Sequence, residues 1–401
     1  MKYDLSIIIP AYNAEYTIRT AIESVYKCFK YFHVEVIVVD DRSTDKTVAI
    51  VECMAKANNN ISFFHTLNNS GAGVARNVGV SKAQGEYIAF LDADDYYLPC
   101  INNVFSETLE KRPDVTVYNY IVKDQKGRAS GNMMARDSQI WACIKEFSGR
   151  LTAIKSVPAV LRLAGFPWNK FISHNFAIKI GMEFSNTYVL NDVYANFQCL
   201  LQSNSILILD NKAICHIYES NRLQLTNSSD YRRVKALSVL FDIDRLLESN
   251  PALLSFREYV YAFQDDVVDW VYANASAEDQ SEIANVHLAL QSHRMPVDTA
   301  LPLFEDKNLI LYGLGWQMMK YYDHIASYNK VIGFMDSQLS KSSHTFLGLN
   351  IYHPADVNIP EYDYIVICSS AFEQIHEQLV QFGKNDKVLY IEQLVKHSTI
   401  I

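Results

Sequence analysis

The sequence predicts an α/β protein of more than one domain, on three observations. Short apolar runs alternate with helical stretches through the first part of the chain, and the alternation starts afresh at Asn308. A length of 401 residues also exceeds what one ordinary core fills.

Leu5 to Ile9 is the first strand, ended by Pro10 and the turn-forming Asn13. Ile18, Ile22, Val25 and Phe29 then fall at helical spacing over Ala14 to Phe29. Val34 to Val39 is a buried strand, broken by the polar cluster Asp40-Asp41-Arg42-Ser43-Thr44-Asp45 and followed by a helix to about Ala57. Ile61–His65, a helix over Gly71–Ala83 and the strand Tyr87–Leu91 complete the pattern. Such alternation builds a mostly parallel sheet with helices on both faces, whose ligands bind beyond the carboxyl ends of the strands. The polar clusters fall at those ends. Residues 100–220 are less regular, with a helix expected after Asp192. A helical pattern over Ser229 to about Ala300 precedes a second, smaller α/β unit. Its strands are Leu309–Tyr312, Val331–Met335 and Tyr364–Cys368.

Composition narrows the function. Hydrophobic residues make up 49% and charged residues 20%, a globular balance. The formal net charge is −9 and Lys and Arg are scattered, which argues against a dedicated nucleic-acid binder. No run approaches the roughly 20 apolar residues that span a bilayer, and the N-terminus has no signal-peptide architecture. The 7 cysteines are widely spaced and form no CxxC pair, so they read as reduced thiols of a cytoplasmic protein.

Phe90-Leu91-Asp92-Ala93-Asp94-Asp95 is the densest chemical signal. Three carboxylates at a strand end repel one another unless a cation or solvent neutralises them. On an extended backbone Asp92 and Asp94 project to one side, which suits Mg²⁺ or Mn²⁺ bridging to phosphate oxygens. In the second unit, Gly313-Leu314-Gly315 opens a helix and Asp336 follows about twenty residues on, as in a dinucleotide site. Met318 stands where the third glycine of that motif would be.

Four segments together resemble the inverting family-2 glycosyltransferases of the GT-A nucleotide-diphospho-sugar transferase fold. They are Ser6 to Asn13, Val38 to Asp45, Asn69 to Asn77, and Phe90 to Asp95, in the family's order. The resemblance covers about residues 4–226. It implies that Pro10, Ala11 and Tyr12 wall a uracil ring, with Asp41 accepting its imide hydrogen and Asp40 shaping the turn. Thymine or the edge of guanine would suit such an acceptor as well. Asn69 joins the same nucleotide site. Arg76 reaches the base or diphosphate, or is a surface arginine. Asp92 contacts ribose or metal-bound water, and Asp94 ligates the metal. Phe166 to Phe171, followed by Asn191-Asp192, resembles the segment ending in the family's general base, Asp192. Asp192 as a mere N-cap is the alternative. Many relatives have Glu where Asn191 stands, which leaves base strength and acceptor choice open. His216 is a further metal ligand or a packed residue, Arg222 neutralises the diphosphate or is solvated, and Trp168 stacks on an acceptor sugar or packs.

The expected organisation is a GT-A domain at 1–228, a helical segment at 229–304 and a small Rossmann-like α/β domain at 305–401. That last domain resembles small units appended to some bacterial glycosyltransferases. The resemblance implies an inverting hexosyltransferase that uses a UDP-sugar with Mn²⁺ or Mg²⁺. Its acceptor is a glycan or lipid-linked, in capsule, lipopolysaccharide or wall-polymer synthesis. Contact with the inner face of the membrane and homo-oligomerisation stay open. Two rivals stay open as well: an NAD-dependent sugar oxidoreductase or epimerase centred on the C-terminal unit, and a non-catalytic nucleotide-binding scaffold.

Overall fold

The computed structural model describes residues 2–390 apart from 125–131, 219–231, 295–305, several short stretches between 315 and 328, 338–344, 347–348, 369–371 and 385. The chain divides into two compact units, Met1–Asp279 and Gln280–Ile401.

The first unit begins with β1 (Tyr3–Ala11), α1 (Ile18–Cys28), β2 (Val34–Asp40), α2 (Thr47–Ala57), β3 (Ile61–His65), α3 (Ala72–Lys82) and β4 (Gly85–Phe90). All of β2 is buried, because an uninterrupted apolar run suits a strand covered on both faces. β1 pairs in parallel with β2 and with β4, and β2 pairs in parallel with β3. This is the predicted half-sheet, with element ends shifted by a few residues.

The stretch after Cys100 is more ordered than its pattern suggests. It holds β5 (Tyr96–Tyr97), α4 (Ile101–Lys111), β6 (Val115–Asp124), α5 (Ala135–Ile144), β7 (Leu151–Thr152), β8 (Lys170–Ser173), α6 (His174–Lys179), α7 (Val193–Gln202) and β9 (Ile206–Tyr218). The sheet runs β3-β2-β1-β4-β8-β6-β9-β5, with β7 beside β9. β8 lies antiparallel between β4 and β6, so the sheet is mixed. β9 runs unbroken to Tyr218, with a register irregularity opposite Tyr118–Tyr120, and carries Cys215 and His216.

The middle helices are α8 (Arg232–Ala236), α9 (Ser238–Glu248), α10 (Arg257–Ala273) and α11 (Ala277–Arg294). In α10, Asp266 accepts from Arg136 of α5 at 2.7 Å and from Arg162 at 3.0 Å, which ties this helix to the first unit. Gln264 adds a buried bond to Asp244 of α9 at 2.8 Å. No helix among the described residues is long and apolar enough to cross a membrane.

The second unit has β10 (Asn308–Tyr312), β11 (Lys330–Met335), β12 (Thr345–Phe346), β13 (Leu349–Tyr352), β14 (Tyr364–Ile367) and β15 (Val388–Tyr390). Their order is β12-β13-β11-β10-β14-β15, parallel except for the β12–β13 edge. Gly313 takes φ +97°, the left-handed conformation open to glycine, as the chain turns out of β10. Met318 is fully buried in the core beneath this turn, filling space that a third glycine would leave empty. Gly315, Ser369 and Ser370 lie outside the described residues.

The seating of α3 on the sheet depends on Gly79. A Cβ there would run into the Ile8 side chain of β1. Gly79→Val is expected to destabilise the first unit by about 1–3 kcal/mol through overpacking, read as a lower urea midpoint with an unchanged slope.

Candidate active site

The loops after β1 and β2 are stitched together before any ligand is considered. Thr44 N–H donates to Asn13 Oδ1 at 2.8 Å, Ala14 N–H to Thr47 Oγ1 at 2.7 Å and Glu15 N–H to Asp45 Oδ2 at 3.0 Å. Pro10 and Ala11 are buried in the end of β1, while Tyr12 is 52% exposed and presents its ring beyond the strand.

The two carboxylates after β2 are both buried and both engaged. Asp40 accepts from the Arg42 and Ser43 amides and contacts His65 Nδ1 at 3.2 Å. It therefore holds its own turn, in which Arg42 takes φ +66°. Asp41 accepts from Thr66 Oγ1 at 2.7 Å and from the Ser70 and Gly71 amides at 2.9 and 2.7 Å. Asn69 donates to the Asp41 carbonyl at 3.1 Å. Asp41 thus draws the loop before α3 against the end of β2.

Arg76 is no surface arginine. It is 5% exposed, and its Nη1 and Nη2 donate to Asn191 Oδ1 and Asp92 Oδ1, each at 2.7 Å. The guanidinium also lies 5.5 Å from the centre of the Phe184 ring. Its neighbour Asn77, which carried no sequence-level role, bonds the Phe184 backbone in both directions at 2.9 Å. Gly73 lacks the Cβ that would strike the Ser185 carbonyl and Asn191. These residues of α3 together fix the segment 184–192.

The acidic run after β4 is a turn and not an extended stretch. The Asp95 N–H closes it onto the Asp92 carbonyl at 3.1 Å. The side chains consequently part: Asp92 goes to Arg76, and Asp95, 1% exposed, turns inward. Asp95 accepts from the Ile217 amide at 2.8 Å and from His216 Nδ1 at 3.0 Å. Burial opposes a charge on His216, but the adjoining Asp95 prevails and holds the imidazolium up to about 9. Asp94 accepts no hydrogen bond from another described residue. Burial, then the nearby Asp95 and Asp92 charges, push it up to about 7.

A divalent cation would relieve that crowding, and Asp94 has the unspent oxygens to bind one. Asp92 is engaged by Arg76, and His216 is held by Asp95 as an imidazolium, which has no lone pair to give a metal, so the expected metal-ligand role of His216 is not supported. No group of three or more His, Cys, Asp or Glu is gathered for a metal among the described residues. The donor set therefore suits an ion that takes its remaining ligands from phosphates and water.

Asp192 sits at the N-terminal end of α7, yet its side chain makes no capping bond. Burial raises its carboxyl above the usual range, against the opposing effect of Arg76. Two acceptor-side expectations change. Trp168 is 1% exposed and stacks on Phe166 at 4.6 Å and His216 at 5.0 Å, so its ring offers no open face to a sugar. Asn191 is 8% exposed, with its amide oxygen already taken by Arg76. Arg222 lies outside the described residues.

With this geometry, the chain can be set beside known proteins. Residues 6–157 match the family model Glycosyl transferase family 2. Over that stretch the N-terminal domain is similar to glycosyltransferase family 2. The domain is similar to an uncharacterised glycosyltransferase of Haemophilus influenzae, 37% identical over 120 residues, which are 29% of this chain and 44% of that one. A second relative is the poly(ribitol-phosphate) β-N-acetylglucosaminyltransferase TarS of Staphylococcus aureus. It is 44% identical over 98 residues, covering 24% of this chain and 17% of that one. The chain spans less than half the length of the curated relatives it matches. The crystal structure of S. aureus TarS 1–349 in complex with UDP-GlcNAc shares the GT-A fold. It superposes with a TM-score of 0.60 at 21% identity, covering 72% of this chain and 81% of that one. Residues 305–389 match a separate model, C2185-like, N-terminal.

Arg76 holds the N-terminal domain's cleft together, so its removal has a local signature. Arg76→Met leaves Asp92 and the Asn191 amide without their donor and should cost about 1–3 kcal/mol. Hydrogen exchange of the amides over 184–192 is expected to accelerate more than that of β1 and β2.

Proposed function

We propose that this protein is an inverting, metal-dependent glycosyltransferase that moves a sugar from a UDP-sugar to a glycan or lipid-linked acceptor. The observation that carries the reading is a property that Asp94 and Asp192 share. In a cleft where Asp40, Asp41, Asp92 and Asp95 all accept protein donors, these two carboxylates have no hydrogen bond from another described residue.

In this reading Asp192 takes the proton of the acceptor hydroxyl. The oxygen then attacks the anomeric carbon as the bond to the diphosphate breaks, and UDP departs with that electron pair. A base with a raised pKa is stronger, and burial of Asp192 works in that direction. Tyr12, exposed beyond β1, lies against the uracil ring, with Asp40, Asp41 and Asn69 shaping the loops around it. Arg76 keeps the reacting segment in register through Asn191 and Asp92. Asp94 would hold Mn²⁺ or Mg²⁺, which would supply charge neutralisation for the leaving diphosphate.

The relatives' names suggest the setting. TarS acts on poly(ribitol-phosphate), and a Bacillus subtilis relative, TuaG, is a putative teichuronic acid biosynthesis glycosyltransferase. TarS was crystallised with UDP-GlcNAc and with UDP. A bacterial surface polymer, built from the cytoplasmic side, follows as the proposed product.

Calorimetry of the full chain with UDP, GDP and NAD, each with and without Mn²⁺, is the test. Metal-dependent UDP binding is expected, and Asp94→Asn should weaken it at least tenfold. NAD binding with none of UDP would move the active centre to the C-terminal unit and overturn the proposal. Asp192→Asn should keep UDP binding and lose transfer by several orders of magnitude; unchanged turnover would remove it as the base.

A further inference from the structure

Lys170 opens β8 and is 3% exposed, an unusual place for an ammonium group. It donates to the Phe166 carbonyl at 2.6 Å and to Asn169 Oδ1 at 2.9 Å, both uncharged acceptors. That spends two of its three N–H groups. A buried cation also needs a counter-charge. Of the acidic groups near it, Cys199 is pushed up to about 12 by burial and stays neutral. Asp137 is spent on the Tyr120 hydroxyl and the Ala164 amide, at 2.7 and 2.9 Å. Asp192 remains, with its carboxylate unspent.

Lys170 and Asp192 both line one cavity of about 10 Å³, beside Phe166, Ala195 and Asn196. Such a volume is about what a single water needs, provided polar partners surround it. Most of the lining is apolar, and its polar groups come from Lys170, Asp192 and Asn196. Asn196 is 6% exposed, and neither its Oδ1 nor its Nδ2 has a hydrogen-bond partner among the described residues. A buried primary amide with both ends orphaned is costly unless a small polar guest satisfies it.

We infer that Lys170 is a positioning residue for Asp192, acting across this cavity through one bound water that also satisfies Asn196. Lys170 and the residue that the proposed mechanism uses as base line the same cavity. The charge of Lys170 opposes the effect of burial on Asp192, alongside that of Arg76, and the water fixes the orientation of the carboxylate at the start of α7. The other charged groups facing Asp192 are Arg76 from α3 and Asp92 from the end of β4, and those two are bonded to each other. Arg76 has the larger effect on Asp192, but it is shared with Asp92, and Lys170 adds a second positive charge. This role rests on the reading of Asp192 as the base, but the coupling between the two side chains is measurable without any transfer reaction.

The test follows the carboxyl titration of Asp192 by ¹³C NMR of aspartate-labelled full-length protein, with Asp192→Asn assigning the resonance. In Lys170→Met the midpoint should rise by about one unit. Lys170→Gln keeps a hydrogen-bond donor and loses the charge, so it should shift the midpoint alike, and it serves if the Met variant fails to fold. A midpoint unchanged in both variants, or shifted in Met alone, overturns the inference. A crystal structure should show an ordered water within hydrogen-bond distance of Lys170 Nζ and Asn196; an apolar, dry cavity removes the bridge. If Asp192→Asn retains full transfer activity while the titration shift is present, the catalytic reading fails and the coupling stands.

Discussion

The buried guanidinium of Arg76 is the constraint on which the cleft depends. A permanently charged group can be withdrawn from water only if fixed acceptors meet it. Here those acceptors come from two distant parts of the chain, Asp92 after β4 and Asn191 before α7. One side chain of α3 therefore sets the spacing between the acidic turn and the start of α7. Asn77 and Gly73 serve the same end, one by bonding the Phe184 backbone and the other by letting Ser185 and Asn191 come close.

Around this centre the carboxylates divide by what they meet. Asp40 and Asp41 are consumed in holding the loops after β2 and β3, Asp92 is paired, and Asp95 locks His216 against Trp168 and Phe166. Asp94 and Asp192 keep free oxygens, and burial raises the proton affinity of both. The proposed cation site and the proposed base both call for carboxylates of this kind. Like residues become unlike groups through their neighbours alone, and local electrostatics accounts for the difference.

How much of this was legible in the sequence varies with the range of the interactions. The parallel half-sheet was readable because β1 to β4 carry strong apolar runs punctuated by polar turns. The region from β6 to β9 was harder. Tyr118, Tyr120, Cys215 and His216 mix aromatic, thiol and imidazole side chains, and their strands, β6 and β9, pair with each other across more than ninety residues. Trp168 looked equally suited to a sugar or to a core, and only its stack on Phe166 and His216 decided for the core.

The sequence by itself determined the family resemblance of the N-terminal domain, the position of the acidic turn after β4 and the start of a helix at Asp192. These rest on local spacing and on turn chemistry, which a short segment carries wherever it is. The tertiary structure decided that Arg76 is buried, that the acidic turn sends its side chains in opposite directions, and that Lys170 and Asn196 share a cavity with Asp192. Those outcomes depend on which residues meet across the sheet, since desolvation and Coulomb interactions are set by distance in space and not by separation along the chain.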